Sequence, residues 1–383
     1  MNLRCPRRPA SIPYLILLCG LLWGYSLDAP ALSLRDKIGQ MLIIGFDGKT
    51  VDDESWIVKA IHENHIGGVI LFDFNKRQDN FNKNIESPEQ VQKLTSDLQY
   101  YNRKANKSHQ RPQTPLLIAV DYEGGMVNRL KETYGFPPTL SAADVGQLSM
   151  MDAEQQAHAM ANTLKSAGFN LNLGPVVDVN LNPSNPIIGG LNRSFSTNPI
   201  TVTTYADVYA QQYLAQHIQC AYKHFPGHGS STSDSHLGFV DSTDVWQEDE
   251  LVPYQKLFAK KGCGIVMTAH IVNRRLDDSG LPATLSHRIL THLLRERLQF
   301  SGVIITDDIQ MKAIADNFGV KEALAMGINA GVDMFIFGNQ LPVIAQNPKE
   351  LVDMIESEVD LGHIQRSRID EAYGRILHLK STL

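Results

Sequence analysis

The arrangement of short apolar runs is the feature that most narrows the folds open to this chain. Eight such runs, bounded by Gly, Pro or acidic residues, alternate with longer stretches of helical periodicity. This alternation indicates βα units and a parallel sheet, and eight units close a barrel. We therefore predict an α/β fold, a single (β/α)8 TIM-type barrel. The predicted strands are Met41–Phe46, Gly67–Phe72, Leu116–Asp121, Asn170–Val179, Ala221–Phe225, Gly264–His270, Gly302–Asp307 and Met334–Gly338.

The segments between the runs carry helix and loop signals. Ser87 followed by Pro88 predicts an N-cap and first helical residue, with Gln90 at N3, opening a helix that runs to about Tyr101. The polar stretch from Asp73 to Asn84 predicts a long loop at the top of the barrel. A helical stripe predicts the last helix; its members are Ile369, Ala372, Tyr373, Ile376 and Leu379.

The first thirty-one residues differ from the rest of the chain. Three arginines among the first eight residues precede an apolar run from Ile12 to Leu27, and the small residues Ala29-Pro30-Ala31 follow it. This order is typical of a secretory signal peptide, and the run is short for a membrane span. We predict a signal peptide over 1–31, a catalytic domain over 32–383, a periplasmic or secreted protein, and no stable membrane insertion after signal removal. An uncleaved N-terminal membrane anchor is the alternative.

Charge excludes one class of partner. The 383 residues carry a formal net charge of −6, with a sequence pI near 6.1, and the basic residues are scattered rather than clustered. No basic stripe is therefore present to follow a phosphate backbone, so nucleic acid is not expected as a partner. The oligomeric state is open, with a monomer favoured.

Only two cysteines, Cys220 and Cys263, remain outside the predicted signal peptide. Their spacing matches neither a metal site nor a disulfide scaffold. Export would permit a bridge between them. Each, however, begins an apolar run that indicates a buried strand, where a cysteine packs as a small hydrophobic residue. We therefore predict two free thiols.

Polar residues gather where the predicted strands end. In a barrel of this type the carboxyl ends of the strands form the active-site face, so these residues are expected on one rim. They are Asp121 and Glu123, Asp178, Lys223 and His224, His270, and Asp307 and Asp308.

The segment from Lys223 to His236 carries the clearest catalytic pattern. Its Gly- and Ser-rich part, Gly227–Ser235, has no apolar residue and predicts a mobile surface loop. Asp234 lies two residues before His236, and a carboxylate beside an imidazole can orient it and raise its basicity. His236 is thus a candidate general acid. A glycosidase also needs a carboxylate on the other side of the sugar, and Asp307 at a strand end supplies one.

These motifs resemble those of glycoside hydrolase family 3, in its single-domain β-N-acetylhexosaminidase branch. The resemblance covers nearly all of the chain after the predicted signal peptide. The matching segments are Asp121–Arg129, Gly174–Asn180, Asn182–Pro186 leading to Arg193–Phe195, Lys223–His236, Met267–His270, Pro282–Ser286 and Thr306–Asp308. This sequence departs from the family pattern at two positions, where relatives usually have Gln in place of Tyr122 and Arg in place of Met126. The rim of the sugar pocket is therefore expected to differ from theirs.

The resemblance implies a retaining exo-β-N-acetylglucosaminidase acting through a covalent glycosyl-enzyme, without cofactor or metal. Asp307 would be the nucleophile, His236 the acid/base and Asp234 its partner. The positions implied to bind the sugar hydroxyls are Asp121, Arg129, Arg193, Lys223 and His224. Arg193 could instead serve as a salt-bridge residue, and Asp178 is expected to support the site rather than to catalyse. The substrate would be a small oligosaccharide or muropeptide, derived from peptidoglycan or chitin.

Four alternatives remain. A β-N-acetylglucosaminide phosphorylase would use the same scaffold, since a histidine acid/base repels phosphate less than a carboxylate would. A non-catalytic sugar-binding relative would not need the complete set of Asp234, His236 and Asp307. The pair Asp307–Asp308 resembles that of hexosaminidases in which the acetamide of the substrate attacks. A metal-dependent hydrolase is disfavoured, because Pro and Gly between His224 and His228 forbid a helical ligand pair.

Overall fold

A computed structural model describes residues 1–2, 32–235, 237–341 and 343–383. Most of the predicted signal peptide, and the predicted acid/base His236, thus lie outside the described residues. Leu32–Leu383 form one compact unit. None of the helices in the described part of the chain is both long and apolar enough to span a bilayer.

The predicted (β/α)8 barrel is confirmed. Eight parallel strands close on themselves, and each pairs with its neighbours in the chain, with the last also pairing with the first. Strand residues are buried on both faces, as expected when helices cover the outside of a parallel sheet and side chains fill its inside. The strands are β1 Leu42–Gly45, β2 Gly68–Ile70, β3 Leu117–Val120, β4 Leu171–Asn172, β5 Gln219–Phe225, β6 Ile265–Thr268, β7 Val303–Asp308 and β8 Met334–Phe337.

The fourth strand is much shorter than predicted. Regular pairing ends at Asn172, and beyond it the chain contacts β5 through separate hydrogen bonds, such as Ala221 N–H to the Gly174 carbonyl, and through a bridge between Val176 and Lys223. The cause lies in Gly174-Pro175, because proline has no N–H to donate to the neighbouring strand. The remainder of the predicted strand is consequently free to form part of the rim.

Helices surround the barrel. The α-helices are α1 Leu34–Gln40, α2 Trp56–Asn64, α3 Pro88–Ser108, α4 Ala142–Val145, α5 Met150–Ser166, α6 Pro199–Ala215, α7 Val252–Phe258, α8 Lys312–Ala315, α9 Val320–Ala330, α10 Pro348–Asp360 and α11 Arg366–Lys380. A π-helix spans Arg288–Arg297, and short 3₁₀ helices span Glu132–Tyr134, Glu248–Leu251 and Ala283–Leu285. Two small sheets pair Tyr122–Gly124 with Val127–Asn128 and Val240–Asp241 with Ile271–Val272.

The helix signals in the sequence are largely confirmed. The Ser87 hydroxyl accepts a hydrogen bond from the Gln90 backbone N–H at 3.2 Å, so α3 begins as predicted. It ends later than predicted, because Asn102 and Asn106 are buried and both donate to the Thr114 carbonyl. The predicted stripe on α11 is buried except for Tyr373, which is half-buried.

The prediction of two free thiols is wrong. Cys220 and Cys263 form a disulfide, with Cα atoms 4.8 Å apart. Cys220 lies in β5, and Cys263 lies just before β6, which pairs with β5. Neighbouring strands are separated by about 4.8 Å, within the range that a disulfide spans. The sequence shows that both cysteines begin buried strands, but the bond depends on the two strand starts being side by side.

The Asp73–Asn84 loop lies at the carboxyl end of the barrel strands, as predicted. The Lys83 ammonium is buried and donates to Asp47 and to the Asn339 carbonyl, both at 2.6 Å. Asp47 follows β1 and Asn339 follows β8, so one lysine fastens the end of the loop to the rim where the barrel closes.

Candidate active site

Glu123 is the centre of a buried ion-pair network on this rim. Its two carboxylate oxygens accept from Arg193 Nε and Nη2, each at 2.7 Å, in a bidentate pair. The Lys223 ammonium lies 2.6 Å from Glu123 Oε1. None of the three side chains is more than 8% exposed. Glu123 therefore joins two cations that come from different parts of the chain.

The charges in this network reinforce one another. Burial raises the pKa of Glu123, but the nearby Arg193 and Lys223 outweigh it and hold that pKa well below its usual value. Burial lowers the pKa of Lys223, whereas Glu123 and Asp121 raise it to a net value above normal. The network therefore stays charged at neutral pH.

Asp121 and Arg129 form the open side of the network. Asp121 follows β3, and its Oδ1 atom accepts from Lys223 Nζ at 3.0 Å. Its Oδ2 atom lies 3.6 Å from Arg129 Nη2, and the two side chains are 16% and 27% exposed. Within the described parts of the chain, Arg129 Nε has no hydrogen-bond partner. This edge of the network thus combines a partly exposed carboxylate with a guanidinium that has an unused donor.

His224 is held in one tautomer. Its Nδ1 atom lies 2.6 Å from Asp178 Oδ2, and because a carboxylate accepts, Nδ1 carries the proton. Its Nε2 atom faces Arg193 Nη2 at 3.3 Å and accepts from it. Burial raises the pKa of Asp178, but His224 counters this and the net pKa is low. Asp178 is wholly buried and supports His224, as predicted, rather than facing the cleft.

Lys223 and His224 are consecutive, yet both join the same network. Side chains normally alternate between the faces of a strand. The register with β6 shifts here, since Tyr222 pairs with Val266 but Phe225 pairs with Thr268. Three residue steps on β5 thus match two on β6, which is a bulge, and bulges redirect side chains next to functional sites.

A second register shift occurs at Asp307. Ile305 pairs with Met334 and Asp308 pairs with Ile336, so β7 also has one extra residue. Asp307 is half-buried, and its Oδ1 atom accepts from the Asp308 N–H at 2.8 Å. The Asp308 carboxylate accepts from Gln310 N at 3.0 Å and Gly338 N at 3.3 Å. Both carboxylates line the cleft, and they differ in their backbone partners, because Asp308 joins the ends of β7 and β8 whereas Asp307 accepts from its own neighbour.

The cleft brings several of the predicted residues together. Asp121, Arg129 and Asp307 line it, and so does Lys76 from the Asp73–Asn84 loop. Its enclosed volume is about 60 Å³, below the roughly 300 Å³ at the lower end of small-molecule pockets. Binding a sugar therefore requires side chains at the rim to move. Lys76 is one candidate, because much of its side chain is solvent-accessible although part of it is desolvated in the cleft.

Glu123 and Lys76 received no role from the sequence. A spacing of two from Asp121 could have indicated Glu123, because residues i and i+2 of an extended segment share a face. No periodic signal marks Lys76 in its loop. Of the two departures from the family pattern, Tyr122 is fully buried and Met126 is 71% exposed. Burial raises the pKa of Tyr122 to about 12, partly offset by Thr163 on α5.

The expectation of a surface loop over Gly227–Ser235 is partly wrong. Gly227–Ser231 and Ser235 are buried, and Asp234 is half-buried. The Ser235 hydroxyl lies 3.2 Å from His228 Nε2, which closes the segment on itself. Backbone packing accounts for the burial, because a Cβ on Gly229 would lie 1.7 Å from the Val179 carbonyl oxygen. No group of three or more His, Cys, Asp or Glu suited to a metal occurs among the described residues, which leave out His236.

Comparisons with known proteins identify the family of this chain. The family model described as Glycosyl hydrolase family 3 N terminal domain matches residues 33–379. The chain is 32% identical to Beta-hexosaminidase A of Pseudoalteromonas piscicida over 340 residues, which are 83% of this chain and 54% of that protein. It is 30% identical to Beta-hexosaminidase LpqI of Mycobacterium tuberculosis over 359 residues, which are 91% of this chain and 83% of that protein.

Two solved structures have a similar fold. A glycoside hydrolase family 3 β-N-acetylglucosaminidase from Paenibacillus sp. superposes with a TM-score of 0.80 at 32% identity, covering 92% of this chain and 63% of that one. A β-N-acetylhexosaminidase from Beutenbergia cavernae superposes with a TM-score of 0.79 at 26% identity, covering 92% and 99%. The chain thus spans about half of the Pseudoalteromonas protein but nearly all of the Beutenbergia one.

Proposed function

The chain belongs to glycoside hydrolase family 3, and we propose that it is a retaining exo-β-N-acetylglucosaminidase. It would remove terminal β-linked N-acetylglucosamine from peptidoglycan-derived fragments. The observation that carries this proposal is the buried network of Glu123, Arg193 and Lys223, which Asp121 connects to the cleft that Asp307 lines.

The network suits a neutral sugar, which must be held by hydrogen bonds to its hydroxyls. Asp121 accepts hydrogen bonds, and Arg129 Nε is a donor without a partner in the described residues. Two protons of the Lys223 ammonium go to Asp121 and Glu123, which leaves the third for a ligand. Arg193 is mostly engaged, because it binds Glu123 twice, His224 and the Ile187 carbonyl. It would therefore act mainly by holding Glu123.

Asp307 would begin the reaction. One of its carboxylate oxygens forms a bond to the anomeric carbon while the bond from that carbon to the aglycone oxygen breaks. His236 as imidazolium gives its proton to the departing oxygen. In the second step a water oxygen bonds to the anomeric carbon, neutral His236 takes a proton from that water, and the bond to Asp307 breaks. Two displacements retain the anomeric configuration.

The arrangement of Asp307 and Asp308 does not favour a mechanism in which the acetamide of the substrate attacks its own anomeric carbon. Asp308 accepts from the backbone N–H groups of Gln310 and Gly338, so its carboxylate is engaged in joining the ends of β7 and β8. Asp307 and Asp308 both line the cleft with Asp121 and Arg129, but only the Asp308 carboxylate is fixed by N–H groups from two neighbouring strand ends. This division supports direct attack by Asp307.

The presence of Lys76 in the cleft favours a substrate whose aglycone carries a carboxylate. Lys76 lines the cleft with Asp121 and Asp307, close enough to Asp234, Asp308 and Asp121 for their charges to act on it. Burial, helped by Arg129, lowers the pKa of Lys76 although those acids raise it. An added carboxylate would stabilise the ammonium. The lactyl group of N-acetylmuramic acid supplies one and chitobiose does not, so we favour peptidoglycan fragments.

We also propose that the protein acts in the periplasm or outside the cell, after removal of residues 1–31. Besides the basic, apolar and small-residue order of that segment, the Cys220–Cys263 disulfide supports this location, since disulfides persist in oxidising compartments. N-terminal sequencing of protein from fractionated native cells tests it. A full-length cytosolic product would contradict it.

Product analysis tests the activity itself. Purified protein is incubated with GlcNAc–MurNAc fragments and with chitobiose, in phosphate and in phosphate-free buffer. We expect free N-acetylglucosamine in both buffers. N-acetylglucosamine 1-phosphate in the phosphate buffer would identify a phosphorylase, and no product from either substrate would indicate a sugar-binding protein. Exhaustive chelation should leave the rate unchanged.

A further inference from the structure

A buried carboxyl group lies beneath the segment Gly227–His236, which we call the histidine loop. Glu250 belongs to the 3₁₀ helix Glu248–Leu251 and is fully buried. Its Oε1 atom accepts from the Ser230 N–H at 2.7 Å. Its Oε2 atom faces the N–H groups of Gly229 and Val179, both at 3.4 Å. One carboxyl group thus holds the base of the histidine loop to the segment after β4.

The loop backbone is pressed against this carboxyl group. Gly227 has φ +113°, and a Cβ there would lie 2.4 Å from Glu250 Cβ. A Cβ on Gly229 would collide with the Val179 carbonyl oxygen. Only glycine combines this backbone conformation with this approach. The two glycines therefore let Glu250 contact the backbone of the loop directly.

The loop has two further anchors. Asp178 Oδ1 accepts from the N–H groups of His224 at 3.1 Å and His228 at 2.8 Å. His228 Nε2 lies 3.2 Å from the Ser235 hydroxyl. The loop is thus held at His228 and closed on itself at Ser235, which lies between Asp234 and His236 in the sequence.

Glu250 is suited to bind backbone without adding charge. Burial, with a contribution from Asp178, raises the pKa of Glu250 to about 8. Its carboxyl group is therefore protonated at neutral pH, while Asp178, which faces His224, stays ionised. A neutral carboxyl group still accepts hydrogen bonds from N–H groups. A glutamine could keep the acceptor for the Ser230 N–H, but its NH2 group would then face the N–H donors of Gly229 and Val179.

We propose that Glu250 is a positioning residue, which holds Gly229 and Ser230 so that the histidine loop brings Asp234 and His236 to the departing oxygen of the substrate. The proposal rests on the acid/base role given to His236 under the proposed function. Glu250 itself touches neither the cleft nor the sugar-binding network. Its loss would therefore affect proton donation more than sugar binding or attack by Asp307.

Leaving-group dependence tests this role. Proton donation matters for chitobiose, whose departing oxygen is basic, and little for the first step with 2,4-dinitrophenyl β-N-acetylglucosaminide. In Glu250→Ala we expect kcat/KM for chitobiose to fall by about 10²-fold, the lower end of acid–base catalysis, with a change of only a few-fold for the dinitrophenyl substrate. Glu250→Asp, one methylene shorter, should show the same selectivity. Glu250→Gln keeps one acceptor, for the Ser230 N–H, so it should lose less chitobiose activity than Glu250→Ala while showing the same selectivity.

The matched control is Asp249→Ala, an exposed neighbour in the same 3₁₀ helix, which should leave both substrates unaffected. Equal losses for the two substrates in Glu250→Ala and Glu250→Asp, or no loss in either, would overturn the role of Glu250. If Glu250→Ala does not fold, Glu250→Asp and Glu250→Gln decide the question. An equal loss of both activities in Glu250→Gln would also count against it.

The parent proposals fail in recognisably different ways. Wild-type protein inactive on both substrates would refute the glycosidase function. A His236→Ala variant without leaving-group selectivity would refute the acid/base role. Selective loss in His236→Ala together with unselective behaviour of the Glu250 variants would refute the present inference alone.

Discussion

The Nζ atom of Lys223 lies 2.6 Å from the Oε1 atom of Glu123, and neither side chain is more than 4% exposed. The same carboxylate holds Arg193 through two hydrogen bonds. The orientation of both cations on the active-site rim thus depends on one acidic residue.

Glu123→Gln should damage both folding and activity. It leaves two buried cations without their common anion, and breaking a buried pair costs about 3–5 kcal/mol of unfolding free energy. We expect kcat/KM to fall by about 10²-fold or more, because Lys223 and Arg193 lose their positions. Urea unfolding and steady-state kinetics measure the two effects. Glu132→Gln, at an exposed position, is the control, and equal behaviour of the two variants would contradict the central role of Glu123.

Substitutions of the three catalytic residues should differ in how strongly they slow each substrate. Asp307→Ala should abolish turnover of chitobiose and of dinitrophenyl substrate alike, because the covalent intermediate cannot form. His236→Ala should slow chitobiose cleavage by about 10²–10⁴-fold and the first step with the dinitrophenyl substrate far less. Asp234→Asn should be intermediate. Azide should partly rescue His236→Ala by attacking the accumulated intermediate, and an unchanged ratio of the two substrates would remove the acid/base assignment.

Retention of configuration follows from two displacements. We expect the β-anomer of N-acetylglucosamine as the first product in an NMR time course, with the α-anomer appearing later by mutarotation. The experiment uses the dinitrophenyl substrate with enough enzyme for hydrolysis to finish before the product undergoes mutarotation. The α-anomer as first product would refute the nucleophilic role of Asp307.

Lys76→Ala should change substrate preference. Loss of the ammonium should raise KM for GlcNAc–MurNAc several-fold and leave KM for chitobiose nearly unchanged, because only the former has a carboxylate near the cleavage site. Lys76→Arg should keep the preference. Arg77→Ala changes the exposed neighbouring cation and serves as control. Parallel changes for both substrates in Lys76→Ala would mean that Lys76 does not sense an anionic aglycone.

The disulfide should stabilise the barrel wall. The bond joins residues separated by 43 positions, and closing a loop of this size contributes about 2–4 kcal/mol. Cys220→Ser/Cys263→Ser should therefore unfold at a lower urea concentration while keeping its activity at low temperature. A thiol assay of the unreduced, unfolded mature protein should find no free thiol. Two titratable thiols in protein purified from the native compartment would contradict the bond.

The sequence by itself determined the barrel and most of the site. Buried parallel strands are short and apolar on both faces, so each leaves a local signal, and eight signals predict closure. The polar residues that follow the strands, such as Asp121, Lys223 and Asp307, could be placed on one rim because all strands run in the same direction. Their chemical roles came from the resemblance to glycoside hydrolase family 3.

Tertiary structure decided which buried groups meet. The Cys220–Cys263 bond depends on β5 and β6 being neighbours in register. Glu123 binds two cations, and Glu250 binds the histidine loop, because packing brings together residues that are far apart in the chain. Periodicity records that a residue is buried, and it contains no information about its partner. Partners follow from strand order, register shifts at two bulges and the close backbone packing of glycines, all of which exist only when the barrel has closed.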